Sequence, residues 1–226
     1  MKLTFYGHAS VLIEIEGTKI LFDPFISGNA LAKDVEIAKI EADYIFISHG
    51  HGDHVGDLIE IAKKTGAKCV ASAEIAGWLQ SNGIESVHGM NHGGFIEFPF
   101  GKVKGVNAIH SSSFPDGSYA GNPLGFVFVT PSGSFYYAGD TALTMDMKLI
   151  PLWAKLDFAV LPIGGNYTMD VTDAIYAADF VECNKIVGIH YNTFPAVTID
   201  TDKAVEQFTA SGKTLLLPQI NETIEL

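Results

Sequence analysis

Short apolar runs and their polar breaks predict most of the strands and helices in this chain. Runs rich in β-branched and aromatic residues predict strands at residues 2–6, 9–16, 20–22, 43–47, 68–71, 84–88, 95–98, 103–109, 125–130, 134–138, 158–161, 186–189 and 214–217. Apolar residues at helical spacing predict helices at 55–65, 73–81, 146–154, 172–181 and 202–210. Residues 25–42 form a mixed loop with a helical turn or a short helix, and the Ser-, Gly- and Pro-rich stretch 111–123 forms a second loop.

The order of these elements indicates the fold class. Two strand-rich stretches, each accompanied by helices, predict an α/β protein in which two sheets pack face to face with helices outside. The 226 residues contain no repeat, low-complexity tract or linker, so we expect one domain over residues 1–226.

Composition narrows the environment in which the protein works. Hydrophobic residues make up 47% of the chain and charged residues 18%, which is typical of an ordered globular protein. No apolar run approaches the ~18 residues that cross a bilayer, and the first residues lose their apolar character too early for a secretory signal. Cys69 and Cys183 have no partner at metal-site spacing, and we expect both to be buried and reduced. These features predict a cytoplasmic protein without a membrane partner.

The charge of the chain argues against a nucleic-acid partner. The net charge is −12, and all 14 basic residues are lysines. Nucleic acid normally requires a basic footprint, and the pairs Lys63/Lys64 and Lys102/Lys104 are too sparse to provide one. Because arginine is the usual clamp for phosphate, an anion here must be held by metal, lysine or backbone N–H groups. We therefore expect a small-molecule substrate and no nucleic acid, and a homo-oligomer remains open.

The strongest chemical signal is the motif His-x-His-x-Asp-His at residues 49–54, directly after the predicted strand 43–47. His49 and His51 alternate along an extended segment, so both imidazoles can face one ion, while Asp53 and His54 follow at a turn into a helix. Imidazole and carboxylate ligands suit Zn, Mn, Fe, Co or Ni. The alternative is a polar strand-to-helix turn capped by Asp53, which fits one such residue better than four.

Three further candidate ligands follow apolar runs that predict strands. His110, Asp140 and His190 each come at the end of such a run, which brings reactive groups to the same edge of the sheets. Each residue alone is more often structural. Together with the first motif, the three favour metal ligation.

These residues, in chain order, resemble the ligand set of the metallo-β-lactamase superfamily. The flanking segments Gly7-His8-Ala9-Ser10, Leu161–Gly165 and His190–Pro195 resemble its metal-dependent hydrolases, which are related to ascorbate-6-phosphate lactonases. The resemblance extends from residue 2 to about 217 and implies a four-layer αββα sandwich. It also implies two divalent ions, zinc first, with Mn, Fe or Ni as alternatives. The implied ligands are His49, His51 and His110 for one ion, Asp53, His54 and His190 for the other, and Asp140 as the bridge.

A binuclear centre of this kind predicts a hydrolase. Two ions would share a hydroxide that attacks a small lactone, ester or phosphodiester, and Asp53 would be both a ligand and a catalytic acceptor that orients the nucleophile. The alternatives are a metal-binding scaffold, which predicts a degraded ligand set, and an iron-dependent redox protein on the same fold. The missing arginine weakens the case for a sugar phosphate.

Other residues are candidates for supporting roles. We expect His8 to act catalytically beside the ions, with a histidine bonded to backbone at a tight turn as the alternative. Asp23 either hydrogen-bonds a ligand histidine or forms an Asp-Pro turn. Tyr167 and Tyr191 flank the expected pocket, although core packing explains either equally well.

Three further features complete the expectations. Asp57 stands where many superfamily members have a small residue, and we interpret it as an acid at a helix N-terminus. His88 and His92 have no partner spacing, so we expect surface or core roles. The loop 111–123 should border the site and move.

Overall fold

The computed structural model describes all residues from 1 to 226 and contains two seven-stranded mixed sheets. The first sheet has the order β14-β1-β2-β3-β4-β5-β6 and the second β13-β12-β11-β10-β9-β8-β7. The strands are β1 (Lys2–Gly7), β2 (Ser10–Ile15), β3 (Thr18–Phe22), β4 (Tyr44–Phe46), β5 (Lys68–Ser72), β6 (Val87–Met90), β7 (Ile96–Phe98), β8 (Gly101–Asn107), β9 (Leu124–Thr130), β10 (Gly133–Tyr137), β11 (Phe158–Pro162), β12 (Lys185–Ile189), β13 (Thr214–Leu216) and β14 (Glu222–Glu225).

Helices cover the outer face of each sheet. They are α1 (Gly52–Val55), α2 (Leu58–Thr65), α3 (Ala73–Ser81), α4 (Val171–Phe180) and α5 (Thr201–Ala210). Short 3-10 helices lie at Ala30–Ala32, Ile37–Lys39, Met145–Leu152 and Pro195–Val197. The layers are therefore helix, sheet, sheet and helix, which confirms the predicted αββα sandwich.

Three apolar clusters correspond to the three interfaces between these layers. The central cluster lies between the sheets, where Phe46 packs edge-on against Phe126 with ring centroids 5.2 Å apart. A second cluster joins β9–β13 to α4, α5 and the 3-10 helix at Met145–Leu152. The third joins β3–β5 to α2 and α3. Because successive side chains of a strand point to opposite faces of its sheet, one buried strand contributes residues to two of these clusters.

Strand direction determines where the candidate residues meet. In the first sheet, β3, β4, β5 and β6 are mutually parallel, and β1 runs in the same direction because two antiparallel pairings separate it from β3. In the second sheet, β8 shares the direction of β10–β13 by the same argument. The carboxyl ends of these strands lie at one edge of each sheet, and open sheets usually present their chemistry there.

The loop 25–42 contains two 3-10 turns, in agreement with the helical turn predicted there. The structure corrects three other details of the predicted elements. The helix predicted at 55–65 is two helices, and the one predicted at 146–154 is a 3-10 helix that contains Pro151, which cannot donate an α-helical hydrogen bond. β14 was not predicted, and it pairs with β1 at the edge of the first sheet. No helix is both long and apolar enough to span a bilayer.

Candidate metal centre

The histidine motif leaves β4 in an extended segment and then enters α1. His51 precedes the first residue of α1 with extended backbone, at φ −62° and ψ 148°. Position 50 must be glycine, because a Cβ there would lie 2.3 Å from the Cβ of Ala120. This close approach holds the motif against the loop at 111–123. Asp53 and His54 then fall in the first turn of α1 and face the same space as the two preceding histidines.

The structure brings His49, His51 and His110 together as one group. One potential ligand atom from each lies within 4.8 Å of the others. His49 Nε2 lies 3.0 Å from His51 Nδ1. Outside this pair, His51 Nε2 lies 3.3 Å from the hydroxyl of Ser111. If His51 carries its proton on Nε2 and donates it to Ser111, then Nδ1 is unprotonated. Its lone pair is directed toward His49 and is free to bind an ion.

Asp140 lies at the centre of the larger cluster. Its Oδ2 is 3.0 Å from His190 Nε2, 3.3 Å from His54 Nε2, 3.5 Å from His110 Nε2 and 4.0 Å from His49 Nε2. Asp53 Oδ2 lies 4.0 Å from His190 Nε2. All seven predicted ligand positions therefore converge on one region, with Asp140 Oδ2 shared between the two predicted groups.

The residues fit a bound cation by their unsatisfied atoms. Asp140 Oδ1 is buried and has no hydrogen-bond partner, and His54 Nε2 is buried without a well-directed hydrogen bond, although Asp140 Oδ2 lies 3.3 Å from it. Buried polar atoms normally have partners because an unpaired one costs about 1–3 kcal/mol. Five imidazoles and two carboxylates are also the donor set that Zn²⁺ and its neighbours in the first transition series prefer.

Asp23 orients two of the candidate ligands. This residue is fully buried after β3, and its Oδ2 lies 2.9 Å from His54 Nδ1 and 2.6 Å from the Ser48 hydroxyl. The same hydroxyl lies 2.9 Å from His49 Nδ1. Because Ser48 donates to Asp23, it accepts from His49 Nδ1–H, which leaves Nε2 of His49 free. The predicted hydrogen bond between Asp23 and a candidate ligand is confirmed.

His8 lies beside the cluster and uses both ring nitrogens. Its Nε2 is 3.1 Å from Asp53 Oδ2, and its Nδ1 is 3.0 Å from the Thr193 hydroxyl. The ring packs against His190 with centroids 4.1 Å apart. Its Nε2 is near enough to Asp53, His54 and His190 to join a metal group. With both nitrogens already bonded, however, His8 is better suited to hold Asp53 than to bind an ion itself.

Burial and charge separate the protonation states of the cluster. Burial lowers the pKa of His49, His51 and His110, so all three are neutral near pH 7. For His54, burial favours the neutral form, but the nearby Asp140 and Asp23 outweigh it and raise the pKa well above the ordinary value. Burial would raise the pKa of Asp140, yet the adjacent imidazoles hold it well below its usual range.

The histidine next to Asp53 is also neutral. Burial lowers the pKa of His8 to about 4, even though the hydrogen bond with Asp53 favours the protonated form. Burial alone would raise the pKa of Asp53, but its contacts with His8 and His54 hold it well below the ordinary value. A neutral His8 that donates through Nε2–H to an ionised Asp53 satisfies both groups.

A cavity of about 570 Å³ opens onto the cluster. We call it the front cavity; its walls include His51, Asp53, His110, Asp140 and His190, together with Ser111, Ser113, Phe114, Pro115, Gly117 and Tyr167. Tyr167 lies at the mouth with 61% of its surface exposed, as expected for a residue that flanks the site. For Tyr191 the packing alternative holds, because this residue stacks on Phe5 and lines a different cavity.

The loop 111–123 borders the front cavity as predicted, but much of it is anchored. Phe114 is buried and stacks on Trp78 with centroids 4.6 Å apart. Ser72 donates through its hydroxyl to the Ala120 carbonyl at 3.0 Å. Only the tip at 115–119 is mostly exposed. Motion of the loop therefore stays a prediction for that tip alone.

Asp57 does more than the predicted acid at a helix N-terminus. It does precede α2, but it forms no capping hydrogen bond there. Its buried carboxylate instead accepts from the backbone N–H of Ile26 at 2.5 Å, from that of Ser27 at 3.0 Å and from the Ser27 hydroxyl. This residue therefore fixes the segment after β3, where Phe25 packs edge-on against His8 with centroids 5.7 Å apart.

The remaining candidates lie away from the cluster. His88 is on β6 and packs against Phe98, and His92 Nε2 lies 3.0 Å from the Pro123 carbonyl, which agrees with the expected structural roles. Cys69 and Cys183 are buried and unpaired, as predicted.

Comparison with known proteins agrees with this architecture. Residues 18–191 match the family described as the beta-lactamase superfamily domain. A UPF0173 metal-dependent hydrolase of Flavobacterium johnsoniae is 56% identical over 226 residues and is covered in full, as is this chain. A UPF0173 metal-dependent hydrolase of Christiangramia forsetii is also 56% identical, over 227 residues and the whole of both chains.

A solved structure extends the comparison to three dimensions. Igni18, a metallo hydrolase from the archaeon Ignicoccus hospitalis, superposes with a TM-score of 0.89 at 33% sequence identity, over 100% of this chain and 98% of that one. The chain, a metal-dependent hydrolase, belongs to the metallo-β-lactamase superfamily and, within it, to the UPF0173 family.

Proposed function

We propose that this protein hydrolyses a small, uncharged ester or lactone at a centre of two divalent metal ions. The observation that carries the proposal is the convergence of four imidazole nitrogens within 3.0–4.0 Å of Asp140 Oδ2. In this proposal His49, His51 and His110 hold one ion, and Asp53, His54 and His190 hold the other. Asp140, whose Oδ2 lies near histidines of both groups, would help to hold each ion. Zinc is the first expectation, with Mn, Fe or Ni as alternatives.

The ions and the protein supply different parts of the chemistry. When bound, two divalent ions would lower the pKa of water from ~15.7 toward ~7 and polarise the group under attack. Asp53 supplies an ionised carboxylate at the cavity wall that accepts a hydrogen bond from the attacking water and orients it. His8 keeps this carboxylate in place through Nε2–H, with its own ring fixed by Thr193.

The lining of the front cavity indicates the substrate class. It contains two carboxylates but no lysine, and the chain has no arginine. Apart from the metal ions themselves, a phosphodiester or sugar phosphate would therefore find no lysine or arginine in this lining to offset its charge. The remaining walls are hydroxyls, Phe114, Pro115 and Tyr167, which suit a neutral substrate with an apolar or aromatic part.

Turnover on metal-loaded protein tests the proposal. The panel holds a γ-lactone, a thioester and a neutral aryl ester against bis(p-nitrophenyl) phosphate, each with zinc- and manganese-loaded protein. We expect kcat/KM for at least one neutral substrate to exceed that for the phosphodiester by about 100-fold or more. Asp140→Asn should abolish this activity, and Asp34→Asn, at an exposed position, serves as the matched control. Preferred cleavage of the phosphodiester would contradict the substrate class, and inert loaded protein would favour a metal-binding scaffold.

A further inference from the structure

A second cavity, of about 580 Å³, lies behind His8. We call it the rear cavity; the carboxyl end of β1, the turn at Ala30–Ala32, the segment after β12, the start of α5 and residues 217–220 enclose it. Its volume is within the range of small-molecule sites. Of the residues in the metal cluster and its hydrogen-bonded neighbours, only His8 and Thr193 contribute to its walls.

The walls of the rear cavity are largely apolar. Phe5 and Tyr191 stack with centroids 6.3 Å apart and form one side, and Ile220 contributes to another. Leu31 and Val205 also line the cavity, with 55% and 38% of their surfaces exposed. Exposed apolar side chains around a concave site are typical of surfaces that bind a ligand.

One buried donor in this wall has no partner. Asn29 is 1% exposed, and its Oδ1 accepts from the backbone N–H of Leu31 at 3.0 Å, which fixes the orientation of the amide. The other end, Nδ2, has no hydrogen-bond partner. A Cβ on Gly7 would lie 2.6 Å from this nitrogen and 3.1 Å from Ile220 Cδ1, so the unpaired donor and an apolar side chain of the lining both pack against Gly7.

The chemistry of the walls defines the ligand. We propose that the rear cavity binds an uncharged small molecule whose carbonyl oxygen accepts from Asn29 Nδ2 and whose apolar body packs against Phe5 and Ile220. Asp202 is the one carboxylate in the lining and no lysine joins it, which disfavours an anion. The site is separate from the hydrolytic centre and does not depend on the proposed substrate.

A neutral fluorescent ketone tests this proposal. The probe is 6-propionyl-2-(dimethylamino)naphthalene, whose emission rises and shifts to the blue in apolar surroundings. On metal-loaded full-length protein we expect a saturable site with a dissociation constant below about 100 µM. Val205→Trp should fill the cavity and weaken binding at least about tenfold. Glu206→Trp adds the same indole at the next position of α5, outside the lining, and should bind like the wild type.

A second variant isolates the unpaired donor. Asn29→Asp keeps an oxygen to accept from Leu31 but replaces the free N–H with an acceptor, so binding should fall at least about fivefold. Thermal melts establish that each variant folds. If Asn29→Asp does not fold, Val205→Trp alone decides the question. Absence of saturable binding, or equal affinity in Val205→Trp and Glu206→Trp, would overturn the proposal.

Discussion

Asp23 Oδ2 lies 2.9 Å from His54 Nδ1, and the same oxygen accepts from the Ser48 hydroxyl that bonds His49. One carboxylate therefore sets the ring orientation of a candidate ligand in each of the two predicted metal groups. Such outer hydrogen bonds fix the tautomer of a ligand histidine and raise its basicity.

Asp23→Asn should consequently weaken both metal sites. An amide NH₂ facing His54 Nδ1 favours the tautomer protonated at Nε2, and the atom meant for the ion is then blocked. We expect metal affinity to fall by about 10–100-fold with the fold retained. Asparagine also tolerates the backbone φ of +42° at this position. Tyr137→Phe, which removes another donor to Asp23, should change affinity little; equal losses in both variants would indicate general destabilisation.

The split of the cluster into two groups predicts about two ions per chain. His190→Ala should release one ion and leave the ion at His49, His51 and His110 bound. Asp140→Ala should weaken both, because its Oδ2 faces both groups. Elemental analysis after dialysis measures the stoichiometry. One ion per chain that is unaffected by His190→Ala would rule out the two-metal arrangement.

His8→Ala should separate a positioning role from a structural one. If His8 holds Asp53, turnover should fall by about 10–100-fold while metal content and folding are retained. Thr193→Val removes the partner of Nδ1 but leaves the hydrogen bond between His8 and Asp53, so the loss of kcat should be smaller. Full activity per folded molecule in His8→Ala would remove this residue from the catalytic machinery, and a lower melting temperature with normal turnover would indicate a turn histidine.

The stability of the metal-free protein should fall as the pH drops from about 6.5 toward 4. Burial lowers the pKa of His8, His49, His51 and His110, so over this range the unfolded chain takes up protons that the folded chain does not. The raised pKa of His54 acts in the opposite sense and contributes stability that is lost as the pH rises above about 6.5.

Urea unfolding in the presence of a chelator, at pH 7 and pH 5, measures this dependence. The slope of the unfolding free energy against pH reports how many more protons the unfolded chain binds than the folded one. In His8→Gln this number should be lower by about one proton. A stability that does not change between these pH values would contradict the neutral state assigned to the buried histidines.

The protein should show no useful affinity for DNA or RNA at physiological salt. Its net charge is −12, it contains no arginine, and its lysines are too sparse along the sequence to form the basic footprint that nucleic acid requires. A fluorescence-anisotropy titration measures this, and specific submicromolar binding would reopen a nuclease function.

The candidate ligands could be predicted from the sequence because they follow strands, and an apolar run in the sequence shows where each of these strands ends. The contacts of Asp57 could not, since they depend on Ile26 and Ser27, which only the folded chain brings near. β14 was missed because Glu222, Thr223 and Glu225 make it polar, as an edge strand can be. The sequence left both packing and pocket contact open for Tyr191, because the direction of its side chain after β12 depends on packing against Phe5, which is distant in sequence.

The candidate ligands come from both layers: residues 49–54 follow a strand of the first sheet, and His110, Asp140 and His190 follow strands of the second. Neither half of the chain can assemble the centre alone, so a nascent polypeptide acquires it only after the sheets have docked. Ions that bind the folded arrangement more tightly than the unfolded chain would then hold the two sheets together and slow their separation. Cofactor supply would thereby set the lifetime of the folded molecule as well as its activity.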